Sequence, residues 1–73
     1  MIEIKAELVG SVWKIVTKPG DTVIEDQTLL ILESMKMEIE VVAPQAGTVI
    51  EIRVKETDIV KEGQVLVVMR QAS

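Results

Sequence analysis

The residues best suited to chemistry are Glu33-Ser34-Met35-Lys36-Met37-Glu38, an amine held between two thioethers and flanked by carboxylates. Lysine offers a nitrogen nucleophile on a long flexible stem, so an acyl group joined to it stands far from the backbone. A lysine amine in water is protonated at neutral pH, with a reference pKa of about 10.4, and does not acylate itself. An outside enzyme must activate the acyl donor. A catalytic lysine would need a desolvated or cationic setting, whereas the neighbours here are Glu33 and Glu38. The chain has no Cys, His or Tyr to assist, and no Gly-rich phosphate loop follows a strand. Glu38 and Glu40 read as an outward strand face, neither a metal site nor an acid–base pair. The expectation is a lysine that is modified, on a chain with no catalytic activity and no metal of its own.

The position of that lysine sharpens the expectation. Shifting the chain by 37 residues lays 2–33 onto 39–70 without a gap, with identities at 12 of the 32 positions. Among them are Ala6/Ala43, Gly10/Gly47, Lys18/Lys55, Asp21/Asp58 and Gln27/Gln64, and many mismatches exchange one aliphatic residue for another. What the repeat leaves over in the middle is Ser34 to Glu38. Two like halves related by a pseudo-twofold axis would bury each other's apolar faces, with Lys36 in the connection between them. Since the repeat already buries what a dimer would, a monomer is expected.

Seventy-three residues make a single domain, taken as 1–73 with repeat halves 2–33 and 39–70. A domain this small buries only about 60% of its unfolded surface. Neither disulfides nor the common zinc sites are open to a chain without Cys or His. Its 48% apolar content, almost wholly aliphatic, compensates, and Trp13, the one aromatic, is expected in the core. Eight basic against twelve acidic side chains give a net charge of −4 with no basic cluster, which argues against nucleic acid. The acidic surface suits a protein partner with a basic docking face. Met1-Ile2-Glu3-Ile4 does not read as a secretory leader, no apolar run approaches a membrane span, and cytoplasm is the default location.

The periodicity is that of strands. Ile50, Ile52 and Val54 alternate with Glu51, Arg53 and Lys55, and Leu29–Leu32 and Val65–Met69 are short apolar runs suited to core strands. Lys18-Pro19-Gly20-Asp21 signals a tight turn, and further breaks fall at Ala43–Gly47 and Glu62–Gln64. Gly20, Pro44 and Gly47 are assigned as turn residues. Short strands with frequent turns indicate an all-β sandwich or flattened barrel. Strands Leu29–Glu33 and Glu38–Val42 predict a β-hairpin with Met35 and Lys36 near its tip. A two-residue type I′ turn there would force both into the left-handed region, at about 1–3 kcal/mol each.

Glu33 to Glu38, with Gly20-Asp21 upstream and Ala43-Pro44 and Gly47 downstream, resembles the biotin/lipoyl attachment domain family over about Ile4 to Val68. Met35-Lys36-Met37 resembles its biotinyl branch, the carrier domains of biotin-dependent carboxylases and decarboxylases. The resemblance implies a flattened barrel or sandwich of two four-stranded antiparallel sheets, with the modified lysine at an exposed hairpin. It implies that a biotin protein ligase joins biotin to Lys36 by an amide bond. The product would shuttle a carboxyl group between a biotin carboxylase and a carboxyltransferase. It further implies that Met35 and Met37 help the ligase choose biotin over lipoate, and that Glu33 helps it recognise the domain.

Two departures stand out. Ser34 replaces the Ala common before Met-Lys-Met, and no thumb-like insertion is present. Gly20-Asp21-x-Val23 and Gln27-x-Leu29 are shared with lipoyl domains, so lipoylation by a lipoyl ligase, for a 2-oxo acid dehydrogenase-type system, is the alternative. An unmodified docking module is the other. A chain this short is expected either to serve separate partner enzymes or to be a fragment of a longer one, and Met1 points to the first.

Overall fold

The computed structural model describes residues 1–72. The described residues fold as eight strands without a helix: β1 (Ile2–Lys5), β2 (Gly10–Ile15), β3 (Thr22–Val23), β4 (Thr28–Ser34), β5 (Met37–Val42), β6 (Gly47–Ile52), β7 (Ile59–Val60) and β8 (Val65–Gln71). They form two four-stranded antiparallel sheets, ordered β1-β8-β6-β3 and β5-β4-β2-β7. This is the expected all-β architecture, as a sandwich of two separate sheets rather than a closed barrel. Adding 37 to the bounds of β2, β3 and β4 gives those of β6, β7 and β8.

The halves do not dock as two finished units. Each sheet takes two strands from each half, so the repeat is interleaved. Neither half has a complete sheet alone, which ties both to one cooperative core. That core is built from repeat counterparts: Ala6 with Ala43, Val12 with Val49, Val23 with Val60, Leu29 with Leu66 and Leu32 with Met69, all buried. Burying a side chain of this size contributes about 1.5–3 kcal/mol. Thr17 is the buried polar exception, and its hydroxyl donates to the Leu29 carbonyl at 3.0 Å.

Three of the identities between the halves, Lys18/Lys55, Asp21/Asp58 and Gln27/Gln64, hold the turns. The Lys18 and Lys55 amides donate to the Asp21 and Asp58 carboxylates at 3.0 and 2.9 Å. The Ile24 and Lys61 amides donate to the Gln27 and Gln64 side chains, both at 3.1 Å. A side-chain oxygen that accepts from the amide three residues earlier closes each turn, which explains why Asp and Gln recur at those places.

Two expectations need correction. Trp13 is not in the core: it is 45% exposed. The pairing of β2 with β4 shifts register between Val12 and Lys14, so the strand carries an extra residue there. Val12 takes the inward place, and the displaced indole lies under Lys14, whose Nζ is 5.9 Å from the ring centroid. Gly47 is a strand residue at the start of β6 rather than a turn residue. A Cβ on Gly47 would overlap the Arg70 carbonyl, and one on its counterpart Gly10 would stand 2.8 Å from the Glu33 carbonyl. Glycine recurs because β8 and β4 pass too close for any side chain.

Candidate functional site

Strands β4 and β5 pair from Thr28↔Val42 to Ser34↔Met37, leaving Met35 and Lys36 as a two-residue connection. Their φ values are +52° and +65°. Both lie in the left-handed region, as a type I′ turn requires to follow the twist of its flanking strands. Neither is Gly, Asn or Asp, the residues that adopt this conformation with least strain. The turn is held from beneath: the Ser34 hydroxyl donates to the Val9 carbonyl at 2.8 Å, tying the hairpin to the loop between β1 and β2. The Ser34 that departs from the usual Ala thus adds an anchor at the base of the tip.

The strain is spent on exposure. Lys36 projects into solvent, Met35 is 90% exposed and Met37 is 61% exposed. Two methionines so placed contribute little to the core, and polarizable thioethers on a flexible stem suit contact with another molecule. An accessible primary amine with an open approach fits acylation from outside. The turn sets the amine apart from the body of the protein, where another molecule can surround it.

Glu33 also lies where it was expected, exposed on β4 two residues before the turn. The register adds what spacing alone did not give: Glu33 stands directly opposite Glu38. Like charges facing each other across a strand pair repel. Among the described residues the ion pair is Arg53–Glu51, with Nε and Oε1 2.9 Å apart, at the end of β6 in the other sheet. Glu51 holds the Arg53 guanidinium above its usual pKa, by hydrogen bond and by charge. The hairpin's carboxylate pair has no such cation. Glu40 accepts a hydrogen bond from Thr28 on the same outward face.

The signal for the Glu33–Glu38 pair was present in the sequence but not readable from it. A three- or four-residue loop would have set a different register, and one slipped residue turns every side chain to the other face. Among the described residues, no helix is long and apolar enough to cross a membrane.

Comparison with known proteins converges on this hairpin-bearing fold. The family model Biotin_lipoyl, described as biotin-requiring enzyme, matches residues 3–69. The chain is 46% identical over 63 residues to a biotin/lipoyl attachment protein of Bacillus subtilis, covering 86% of each chain. To a biotin carboxyl carrier protein of Streptococcus mutans it is 47% identical over 62 residues. That match covers 85% of this chain and 48% of the relative, so the chain spans about half that protein's length. Among solved structures, the lipoyl domain of the 2-oxoglutarate dehydrogenase complex of Azotobacter vinelandii superposes with a TM-score of 0.85 at 30% identity, covering all of both chains.

Proposed function

The chain belongs to the Biotin_lipoyl family, and on that premise we propose that it is a non-catalytic cofactor carrier whose Lys36 receives biotin. The observation that carries the reading is the tip itself: one exposed lysine at the second position of a strained two-residue turn. Ordinary residues persist in such a conformation where the surrounding structure over-determines them, and such places cluster at functional sites. Here β4 and β5 fix the turn and the Ser34–Val9 bond fixes its base.

Each residue at the tip then has a role. Lys36 supplies Nζ for the amide, Met35 and Met37 flank it as the surface by which a biotin protein ligase selects its cofactor, and Glu33 contributes to recognition. Biotin, once bound, supplies the carboxyl-carrying chemistry between a biotin carboxylase and a carboxyltransferase. The folded chain keeps the arm on a rigid hairpin and raises its local concentration at each partner, to the millimolar range where a tether is short and flexible. Loss of the lysine's charge takes the formal balance from −4 to −5. The chain acts as a monomer in this reading.

A second reading is a lipoyl carrier, favoured by the likeness to the Azotobacter vinelandii lipoyl domain. Exposed methionines on both sides of Lys36 weigh for biotin. Intact-mass measurement of the protein from its native host, with peptide mapping around Lys36, separates the two. A biotinyl increment on Lys36 is expected, and Lys36→Arg should remove it while the far-ultraviolet spectrum and Tm stay unchanged. A lipoyl increment would replace biotin by lipoate in the proposal. An unmodified lysine in the presence of biotin and active ligase would overturn the carrier reading.

A further inference from the structure

The internal repeat provides a control for the surface residues of 2–33 and 39–70, because each of these positions has a counterpart in the other half. Around the hairpin tip three positions depart from that control toward apolar or acidic side chains, while a fourth, Lys61, departs the other way from its exposed counterpart Ile24. Ile59, the first residue of the two-residue edge strand β7, is 72% exposed, and its counterpart is Thr22. Val9 is 60% exposed, and its counterpart is Ala46. Glu33 has Arg70 as its counterpart, so the sign of charge is reversed. The scaffold tolerates small, polar or basic residues at these places, yet near the tip it carries exposed aliphatics and a carboxylate.

These residues share one face. Ser11 pairs with Ile59 on one side and with Glu33 on the other, and Glu33 pairs with Glu38. Directly paired residues point the same way, so Ile59, Ser11, Glu33 and Glu38 form a row across the outside of the sheet. At about 4.8 Å per strand the row is roughly 14 Å wide. It lies one residue pair below the turn, apolar at the β7 end and doubly acidic at the β5 end. Val9 adjoins it through the Ser34 bond.

We propose that this row, with Ile59 and Val9 as its apolar contacts and Glu33–Glu38 as its charged one, is the surface on which the ligase that biotinylates Lys36 docks. The inference rests on the carrier reading above. The argument for the ligase is one of reach. An enzyme that acts on the bare amine has only lysine's four-carbon stem between its active site and the hairpin, so its surface must pass over the residues beside the tip. Enzymes that act on the finished arm reach the cofactor beyond it and need not touch this row. Charge complementarity defines the docking face required: an aliphatic or aromatic patch for Ile59, with Lys or Arg opposite the unpaired carboxylates. The reaction balances with ATP as the activating co-reactant. Biotin's carboxylate becomes the acyl-adenylate with release of pyrophosphate, Nζ then forms the amide, AMP leaves, and the ammonium gives up two protons.

The test is steady-state biotinylation of the whole chain by a bacterial biotin protein ligase with biotin and ATP. Ile59→Thr and Val9→Ala install the counterpart residues, and Thr22→Ile makes the reverse exchange away from the tip. Expected is a loss of about tenfold in kcat/KM for Ile59→Thr, carried by KM for the protein substrate, a smaller loss for Val9→Ala, and none for Thr22→Ile. Rising salt should raise KM for the wild type, and less so for Glu38→Gln. Thermal unfolding of each variant reports whether the fold is kept. Unchanged KM in both Ile59→Thr and Val9→Ala would overturn the docking row and leave the carrier reading standing. A fall in kcat alone, or an equal loss in Thr22→Ile, would overturn it too. Failure of the wild type to accept biotin on Lys36 would bring down both.

Discussion

The hairpin tip and the place where β8 meets β6 occupy equivalent positions in the repeat, and they have been put to opposite uses. At the first, β4 continues through Met35 and Lys36 into β5. At the second, Gln71 of β8 pairs with Gly47 of β6. The core behind both is the same: Val12 and Val49, Leu29 and Leu66, Val23 and Val60. The surface in front is not. One end carries exposed Val9, Met35, Met37 and Ile59 with an opposed glutamate pair; the other carries Ala46, Thr22 and Arg70 at matching positions, with exposed Ile24 where the tip end has Lys61. A duplicated scaffold separates what a fold requires from what a site requires, since the first recurs in both copies and the second in one.

The sharpest test of the shared part is at its glycines. Gly47→Ala drives a Cβ into the Arg70 carbonyl, a backbone group that cannot rotate away. A loss of about 3 kcal/mol or more is expected, near the upper range for a strained core change. Gly10→Ala should cost less, because its Cβ stands 2.8 Å from the Glu33 carbonyl. Urea midpoints of the two variants give the order directly, and equal losses would show that the twin glycines are held alike despite the geometry.

The tip should answer with the opposite sign. Replacing Met35-Lys36 by Asn-Gly gives the turn the residues its φ values favour. Stability should rise by about 1–3 kcal/mol as the strain is released, while the attachment proposed for Lys36 should be lost. A neutral or lower Tm would mean that contacts of Met35 and Lys36 with the body offset the strain, and that the tip is less tuned for exposure than its geometry indicates.

Smaller strain sits in the turns, where the copies have drifted apart. Gly20 (φ +95°) is matched by Thr57 (φ +80°), and Gly63 (φ +85°) by Asp26 (φ +69°). In each pair one half keeps glycine and the other does not. Thr57→Gly should add about 1 kcal/mol, since a β-branched residue is poorly suited to this region. Asp26→Gly should add less, because Asp tolerates it. Chemical denaturation of the two variants measures both; a destabilised Thr57→Gly would show that its threonine side chain matters more than its backbone.

These pairs also mark how far the sequence could be read. Strand periodicity, the turn at Lys18–Asp21 and the offset of 37 gave the all-β class, the repeat and the exposed lysine, because each rests on residues near one another in the chain. Trp13 was misplaced because a register shift after Val12 depends on where β4 lies, not on the residues around the indole. Gly47 looked like a turn residue because a close approach by β8, 23 positions later in the chain (70 − 47), has no local signature. The interleaving of the halves was hidden for the same reason: identical core residues are compatible with two docked units and with shared sheets. Ile59 has no local signature in the sequence, and its exposure singles it out.

The smallest effect concerns the pair that the register brought together. Glu33 and Glu38 face each other with no cation between them among the described residues. Glu38→Gln removes the repulsion and keeps the shape, so stability should rise by a few tenths of a kcal/mol, about the lower end for cross-strand pairs. Screening by salt should erase the gain, because both groups are exposed. The paired variant Glu33→Gln/Glu38→Gln should gain no more than either change alone, since the repulsion is lost once. Unfolding curves at low and high salt for the single and double variants complete that cycle. An additive gain that survives salt would place the two glutamates out of each other's field, and the acidic half of the row would then be two separate charges rather than one paired feature.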